Sequence, residues 1–427
     1  MDSPSSNGSN AQIASNANIL KIIFEHAAYA PIEESPENNI RPRRPYLGQV
    51  CKAWDAIITN TPAFWASIVV YIDSNPTHTE ERLANSPLKT YLSRSSPHHI
   101  TVYLLRKVKV PHALDLKEKS AIHSILTALA PHSPRMSGLF IEANASSSLP
   151  SIPDLLSAHS GFVFENLKCL MATSNCDDSH ILPLPLPLPL SLPPIPAISL
   201  TYLNIDGRNL FLSLNPPFHL LQHLSQLEGL CVNHLTPRVD GFSMALVDKL
   251  FDAIINTLFK LRTLGFDEFE MPPNATSLPS PDPLLPCSVH RLVIRSTASP
   301  SMQFIFQRVT HPDELGLIGC FFSEPKVLLP KSARLVFERT VDFDILPDII
   351  LEWDGPTLEF HSCKSLNAFF LTKLLDRAVT RSTGRLMNLR TLKFLNCPGL
   401  PAEAIIEFLE YRKSMLRHAA ATCLLIA

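Results

Sequence analysis

The sequence predicts an α/β chain, in which a small N-terminal helical unit leads into an irregular solenoid of strand–helix repeats around a parallel sheet. Three observations predict it. Short segments of the form L-x-x-L-x-L recur along most of the chain, and segments of helical period lie between them. Two of the three tryptophans crowd into one stretch, RPYLGQVCKAWDAIITNTPAFWASIVV, from Arg44 to Val70.

Composition bounds the rest. With 427 residues, 45% of them hydrophobic, the chain can bury a large core, and global disorder is excluded. Thirty-seven basic residues offset 39 acidic ones, so the basic excess of a general nucleic-acid binder is absent. Thirty-eight prolines against 13 glycines indicate stiff loops and argue against glycine-rich phosphate cradles. The nine cysteines are scattered, odd in number and without a C-x-x-C, which fits reduced thiols in a cytoplasmic or nuclear protein. The polar start, residues 1–17, reads as a disordered leader and not as a signal peptide, so the sequons at Asn7, Asn144 and Asn274 carry little weight. The apolar tract Ile181–Leu200 contains seven prolines, which break the helix a bilayer demands. It reads as a polyproline II insertion, centred on residues 181–197, with docking to an SH3-like groove as the rarer possibility.

Within the opening stretch, Leu47, Val50, Cys51, Trp54, Ile57 and Ile58 share an arc of about 120° if residues 47–58 are helical. Thr61 is placed to N-cap a second short helix with Pro62 at its first position, carrying Phe64 and Trp65. Ile68–Ile72 is β-branched and reads as a strand. Upstream, Ile19, Leu20, Ile22, Ile23, Phe24 and Ala27 predict a short helix too apolar to stand alone, joined by a proline-rich loop from Pro31 to Arg44. A unit of ~50 residues is near the limit of independent folding, so part of its apolar surface is expected to stay available to a partner. Taken singly, each tryptophan is more simply a core residue.

The order I-L-x-x-I-F-x-H-A, then V-C-x-x-W and T-P-x-F-W, resembles an F-box domain of the large fungal type over residues 18–72. The resemblance implies a three-helix module that binds the Skp-type adaptor of a cullin-RING (SCF-type) ubiquitin ligase. It implies adaptor contacts by Ile19, Leu20, Ile23, Phe24, Leu47, Val50, Cys51 and Trp54, over a core of Ile57, Ile58, Pro62, Phe64 and Trp65. The Leu-Pro that commonly opens the family's first helix is replaced here, where Ser15, Asn16, Ala17 and Asn18 stand.

Residues 73–135 read as a lead-in, with a helix capped by Ser86 and a strand near Ile100–Leu105. From residue 136 to 427 the repeat takes over. Its central leucines are Leu139, Leu170, Leu203, Leu230, Leu264, Leu292, Leu315, Leu335, Leu358 and Leu392, spaced 20 to 34 apart. Cys320, Cys363 and Cys397 each follow a central leucine by five residues, as does Asn144. The region resembles a degenerate leucine-rich-repeat solenoid, which implies that these cysteines pack inside and bond to the turn backbone. An F-box followed by leucine-rich repeats is the architecture of a substrate receptor that brings a target protein to the ligase.

Motifs for chemistry are missing: no G-x-S-x-G, P-loop, G-x-G-x-x-G or H-E-x-x-H occurs. His98-His99 and the i, i+4 pair His219 and His223 lack a third ligand nearby and read as surface histidines. Asp267, Glu268 and Glu270 read as a solvated loop, and Asp342 and Asp344 as the outward face of a strand. No enzymatic activity, cofactor, metal, nucleic acid or membrane is therefore expected. The expected partners are the adaptor, a cullin through it, and a target protein. If the strand registers hold, Asn204, Cys231, Val293, Glu359, His361 and Lys393 border the exposed strand face as candidates for target contact. The second reading is a protein-binding scaffold that keeps an F-box-like fold without engaging a ligase.

Overall fold

The computed structural model describes residues 49–72, 87–106, 116–156, 161–178, 199–214, 220–236, 244–271, 289–309, 311–323, 327–341, 344–380 and 388–426. The first predicted helix with Ile19, Leu20, Ile23 and Phe24, together with Leu47, Ser86, His219, Asn274 and the proline-rich tract, lies outside them. The chain is α/β; among the described residues there are twelve strands, and the strand pairings within each unit are parallel. It divides into two compact units, Met1–Cys176 with Leu192–Leu200 and Asp177–Ser191 with Thr201–Ala427.

In the first unit, helix α1 (Lys52–Thr59) and a 3-10 turn (Pro62–Trp65) precede strand β1 (Ser67–Tyr71). Helix α2 (Pro87–Arg94), β2 (Ile100–Leu105), α3 (Leu116–Leu129), β3 (Met136–Ala145), α4 (Ile152–Leu156) and β4 (Cys169–Cys176) follow. β2 covers the residues expected of it, and β1 starts one residue earlier than the β-branched run. Ile68, Val102, Leu139 and Leu170 stand in one register and are fully buried.

The N-terminal helix corrects the expected one. Periodicity placed its start at Leu47; instead Cys51 is extended, at φ −162° and ψ 164°, and the helix begins at Lys52. Only from Trp54 onward do apolar positions meet a packing surface, so Val50 is 59% exposed and Cys51 is exposed. Ile58, Phe64 and Trp65 form the core, with Trp54, Ile57 and Tyr91 against it. Thr61 does not cap with its side chain. Its hydroxyl donates back to the Ile57 carbonyl at 2.7 Å, closing α1 while its own carbonyl accepts from Phe64 N–H.

The second unit repeats one pattern: β5 (Tyr202–Asp206), α5 (Gly207–Leu214), β6 (Gly229–Asn233), α6 (Met244–Thr257), β7 (Thr263–Asp267), β8 (Arg291–Arg295), α7 (Ser299–Arg308), β9 (Glu314–Ile318), β10 (Arg334–Glu338), α8 (Leu346–Glu352), β11 (Thr357–His361), α9 (Ala368–Thr380), β12 (Thr391–Leu395) and α10 (Ala402–Ile426). The second residue of each strand is the expected central leucine, and all eight, Leu203 to Leu392, are in register. Seven are buried; Leu392, on the end strand, is half-buried. The fourth residues form a second ladder, Ile205, Val232, Phe266, Ile294, Leu317, Phe337, Phe360 and Phe394, on the same side as the leucines. Helices pack on that side, as when Phe251 of α6 lies 5.9 Å from Phe266 and Phe370 of α9 meets Phe360 edge-on at 5.5 Å.

Each strand from β6 to β12 ends in the same turn. The residue two positions after the second ladder is left-handed in all seven: His234, Glu268, Ser296, Gly319, Arg339, Ser362 and Asn396, with φ between 49° and 58°. For a residue with a Cβ this costs roughly 1–2 kcal/mol. What holds it is the next repeat: the N–H of His234 donates to Asp267 O, Glu268 to Arg295 O, Ser296 to Ile318 O, and so on to Ser362 and Leu395 O, at 2.7–3.1 Å. The following position is where the resemblance put the inward cysteines. The thiols of Cys320, Cys363 and Cys397 donate to the carbonyls of Ile294, Phe337 and Phe360 at 3.3–3.6 Å. Burial pushes Cys320 up to about 12 and Cys363 up to about 11, so both stay as thiols and act in packing.

Two further readings change. Asp344 and Ile345 lie in a turn that leads into α8, where Pro347 suits the first helical turn; the strand has already ended at Glu338. Asp267 belongs to β7 and is half-buried, while Glu268 and Glu270 are exposed in the loop after it, as expected; Glu268 bonds His234 at 2.8 Å there. Asn144 is buried, which closes its sequon to modification.

Candidate functional site

Strand alternation puts the first, third and fifth residues of each strand on the face away from the helices. In the second unit the third residues are small over β6 to β10: Cys231, Gly265, Val293, Gly316 and Val336. They form a low floor. A Cβ on Gly265 would come within 2.9 Å of Cys231 Sγ, so that contact is closed, whereas one on Gly316 would meet only ordinary contacts at 3.8–3.9 Å. Burial pushes the Cys231 thiol up to about 11 despite nearby Arg295, which leaves it protonated.

Toward β12 the face becomes charged. Arg291 Nε donates to Glu314 Oε1 at 2.8 Å, and Arg334 bridges Glu314 Oε2 at 2.8 Å and Glu359 Oε2 at 2.7 Å. Lys393 Nζ reaches Glu359 Oε1 at 2.7 Å, and His361 Nε2 lies 3.0 Å from Oε2. Glu359 is thus the hub, 1% exposed, and both its oxygens are engaged. The Arg334 hydrogen bond, followed by that from Lys393, outweighs desolvation and holds its carboxyl at about 2.

This sets a pH dependence. Because the folded-state value lies below the unfolded one, Glu359 contributes stability that is complete above about pH 4.5 and disappears as pH falls through about 2. The shift alone converts to roughly 3 kcal/mol, which solvent screening around the half-exposed partners reduces to about 2. Urea unfolding at pH 5 and pH 2.5 should show the native chain losing about 1.5 kcal/mol more than Glu359→Gln, because most but not all of the contribution is gone at the lower pH. Equal losses would mean that the hub does not stabilise the fold.

The six candidates for target contact all lie on this side of the sheet, five in the third row and His361 in the fifth. They differ in depth. Lys393 is exposed, Asn204 and His361 are half-buried, and Cys231, Val293 and Glu359 are buried. Asn204 Oδ1 accepts from Asn233 Nδ2 at 2.8 Å, far along the sheet from the Glu359 group. The structure therefore gathers Glu359, His361 and Lys393 into one group, sets Asn204 beside Cys231 on β5 and β6, and leaves Val293 apart. Arg291, Glu314 and Arg334 were missed by the sequence reading although they sit one row aside, each as the first residue of its strand. Their alternation with the central leucine was the available signal.

In the first unit, the exposed Val50 and Cys51 precede a closed core in which Trp65 Nε1 donates to Ile58 O at 2.8 Å and Arg94 lies over the indole at 4.6 Å. Trp54 and Ile57 are half-buried, as are Pro62 and the start of the 3-10 turn. Trp65 and Phe64 are packing residues; Trp54 both packs and keeps accessible surface.

Elsewhere, an open recess of about 450 Å³ lies at the ends of β9 to β11, lined by Phe322, Val341, Asp344, Ile345, Phe369 and Phe370 among others. Among the described residues no group of His, Cys, Asp or Glu converges to hold a metal, and no helix is long and apolar enough to cross a membrane. No protein-family model matches the sequence, and comparison with curated proteins gives no match.

Proposed function

We propose that this chain is the substrate-recognition subunit of an SCF-type ubiquitin ligase. It binds an Skp-type adaptor, and through it a cullin, with its N-terminal F-box-like segment, and holds a protein target on the open strand face of a leucine-rich-repeat-like solenoid. One observation carries the reading. The tryptophan of V-C-x-x-W and the residues of T-P-x-F-W lie on a helix and turn with one small shared core, which continue directly into the first of the parallel strands, while Val50 and Cys51 precede the helix, exposed. A docking module fused to a repeat surface works by proximity: it raises the effective concentration of target near the ubiquitin-loaded enzyme and needs no catalytic residue of its own. The cytosol and nucleus are the compartments where such a ligase operates, in keeping with thiols that are free among the described residues.

The second reading, a scaffold without ligase engagement, rests on the replacement of Leu-Pro by the stretch Ser15–Asn18. Co-purification of the full chain with an Skp-type adaptor separates the two. Association at micromolar concentration, abolished by Ile23→Asp with Phe24→Asp, is the expected result. A folded chain that fails to associate leaves the scaffold reading.

A further inference from the structure

In the first and third rows of β8 to β12 the two signs of charge are separated by depth. The side chains of Glu314 and Glu359 are 17% and 1% exposed, while those of Arg291, Arg334 and Lys393, which cap them, are 51%, 40% and 50% exposed. Three full positive charges thus rest on two negative ones, and the surplus faces solvent. Donors remain as well. Lys393 gives one of its three N–H groups to Glu359, and Arg291 meets Glu314 through Nε, which leaves its two terminal nitrogens.

Arg291 and Arg334 stand in the first row of β8 and β10, and Lys393 in the third row of β12. Arg291 and Arg334 share the Glu314 carboxylate, and Arg334 and Lys393 the Glu359 carboxylate, each through a contact of 2.7–2.8 Å. Neighbouring cationic groups therefore stand at most ~8 Å apart. In an extended peptide alternate side chains fall on one side at ~6.6 Å. Between the cations, Val293, Gly316 and Val336 give a floor with room over Gly316.

We propose that this face binds an extended acidic peptide segment that crosses β8 to β12, with carboxylates at alternate residues set against Arg291, Arg334 and Lys393. The inference rests on the reading of the repeats as the target-holding surface, and it names the chemistry of the target. A single-stranded nucleic acid is the weaker fit, because the first, third and fifth rows of these strands carry no Phe, Tyr or Trp on which bases could stack.

The test is fluorescence anisotropy with the full chain and a labelled peptide of four Ser-Glu pairs, compared with four Ser-Lys pairs and with oligothymidine. Saturable, salt-sensitive binding of the acidic peptide alone is expected. Arg291→Ala with Lys393→Ala should weaken it about tenfold or more. Gly316→Leu, whose added Cβ has room, should obstruct the floor and weaken it without removing charge. Lys117→Ala with Lys119→Ala, which removes equal charge from α3, should leave it unchanged. The proposal falls if the acidic peptide does not bind, if the lysine peptide or oligothymidine binds as tightly, if the α3 variant loses as much, or if the face variants stay near native affinity. Adaptor association is read separately, through Ile23 and Phe24. Loss of peptide binding with adaptor binding intact overturns only this inference, and the reverse overturns only ligase engagement.

Discussion

Phe360→Ala should destabilise the second unit by about 3–5 kcal/mol, the range for truncating a fully buried phenylalanine. The ring is closed to solvent and lies in a stack, 5.5 Å from Phe337 at 14° and 5.5 Å from Phe394 at 10°, with Phe370 edge-on. Its removal opens a cavity bounded by three other rings, which cannot all close over it without leaving their own strands and helix. The expected observation is a fall in the urea midpoint at constant slope. Phe394→Ala should cost less, about 1–2 kcal/mol, because that ring is half-buried on the end strand. Equal losses at the two positions would mean that β12 is covered in solution.

Glu118→Ala should cost about as much, 3–5 kcal/mol, in the first unit, by removing one partner of a buried ion pair. The carboxylate projects from α3 and is fully buried. It accepts from Arg106 Nη1 at 2.5 Å, and from the backbone N–H groups of Asn144 at 2.8 Å and Ala145 at 3.4 Å. One side chain thus neutralises a buried guanidinium and satisfies the end of β3. Glu118→Gln keeps the shape and one acceptor, and should fall between native and alanine in thermal unfolding. A glutamine variant as stable as native would show that charge is not what the site needs.

Much of the strand layer is legible in the sequence, because the eight central leucines of the second unit are each the second residue of their strand and in register, and Leu139 pairs with Leu170 in the first. Ile68 and Val102 extend the same ladder in the first unit but escape a search for leucine. The left-handed turns escape any such search. His234, Glu268, Ser296, Arg339 and Ser362 share no side-chain chemistry, only a backbone hydrogen bond to the following repeat, and Asn396 shares only the conformation. Helical periodicity ran past the real start of α1, since spacing records which side a residue would face and not whether anything is there to meet it. Alternation misled for the same reason at Asp344; Asp342 and Phe343 lie outside the described residues.

The candidate site was half legible. Alternation gave the side of the sheet for Glu359, His361 and Lys393, but not their depth. Whether a carboxylate is sunk or exposed depends on Arg334 and Lys393, 25 and 34 residues away in sequence and one strand away in space. Arg334 itself was passed over because it precedes the leucine and reads as a flank of the motif.

The shared turn has a consequence for how this chain can change. A left-handed residue held by the following repeat's carbonyl makes the joint between repeats independent of side-chain identity. The loss or duplication of one whole period, from turn to turn, therefore recreates a matched joint, since each end offers the same donor and acceptor. An insertion of a single residue inside a strand does the opposite, moving every inward leucine to the wrong side from that point to the turn. Heritable length change in the second unit is therefore steered toward whole periods and toward the segments between strands, where the spacing already ranges from 20 to 34 residues.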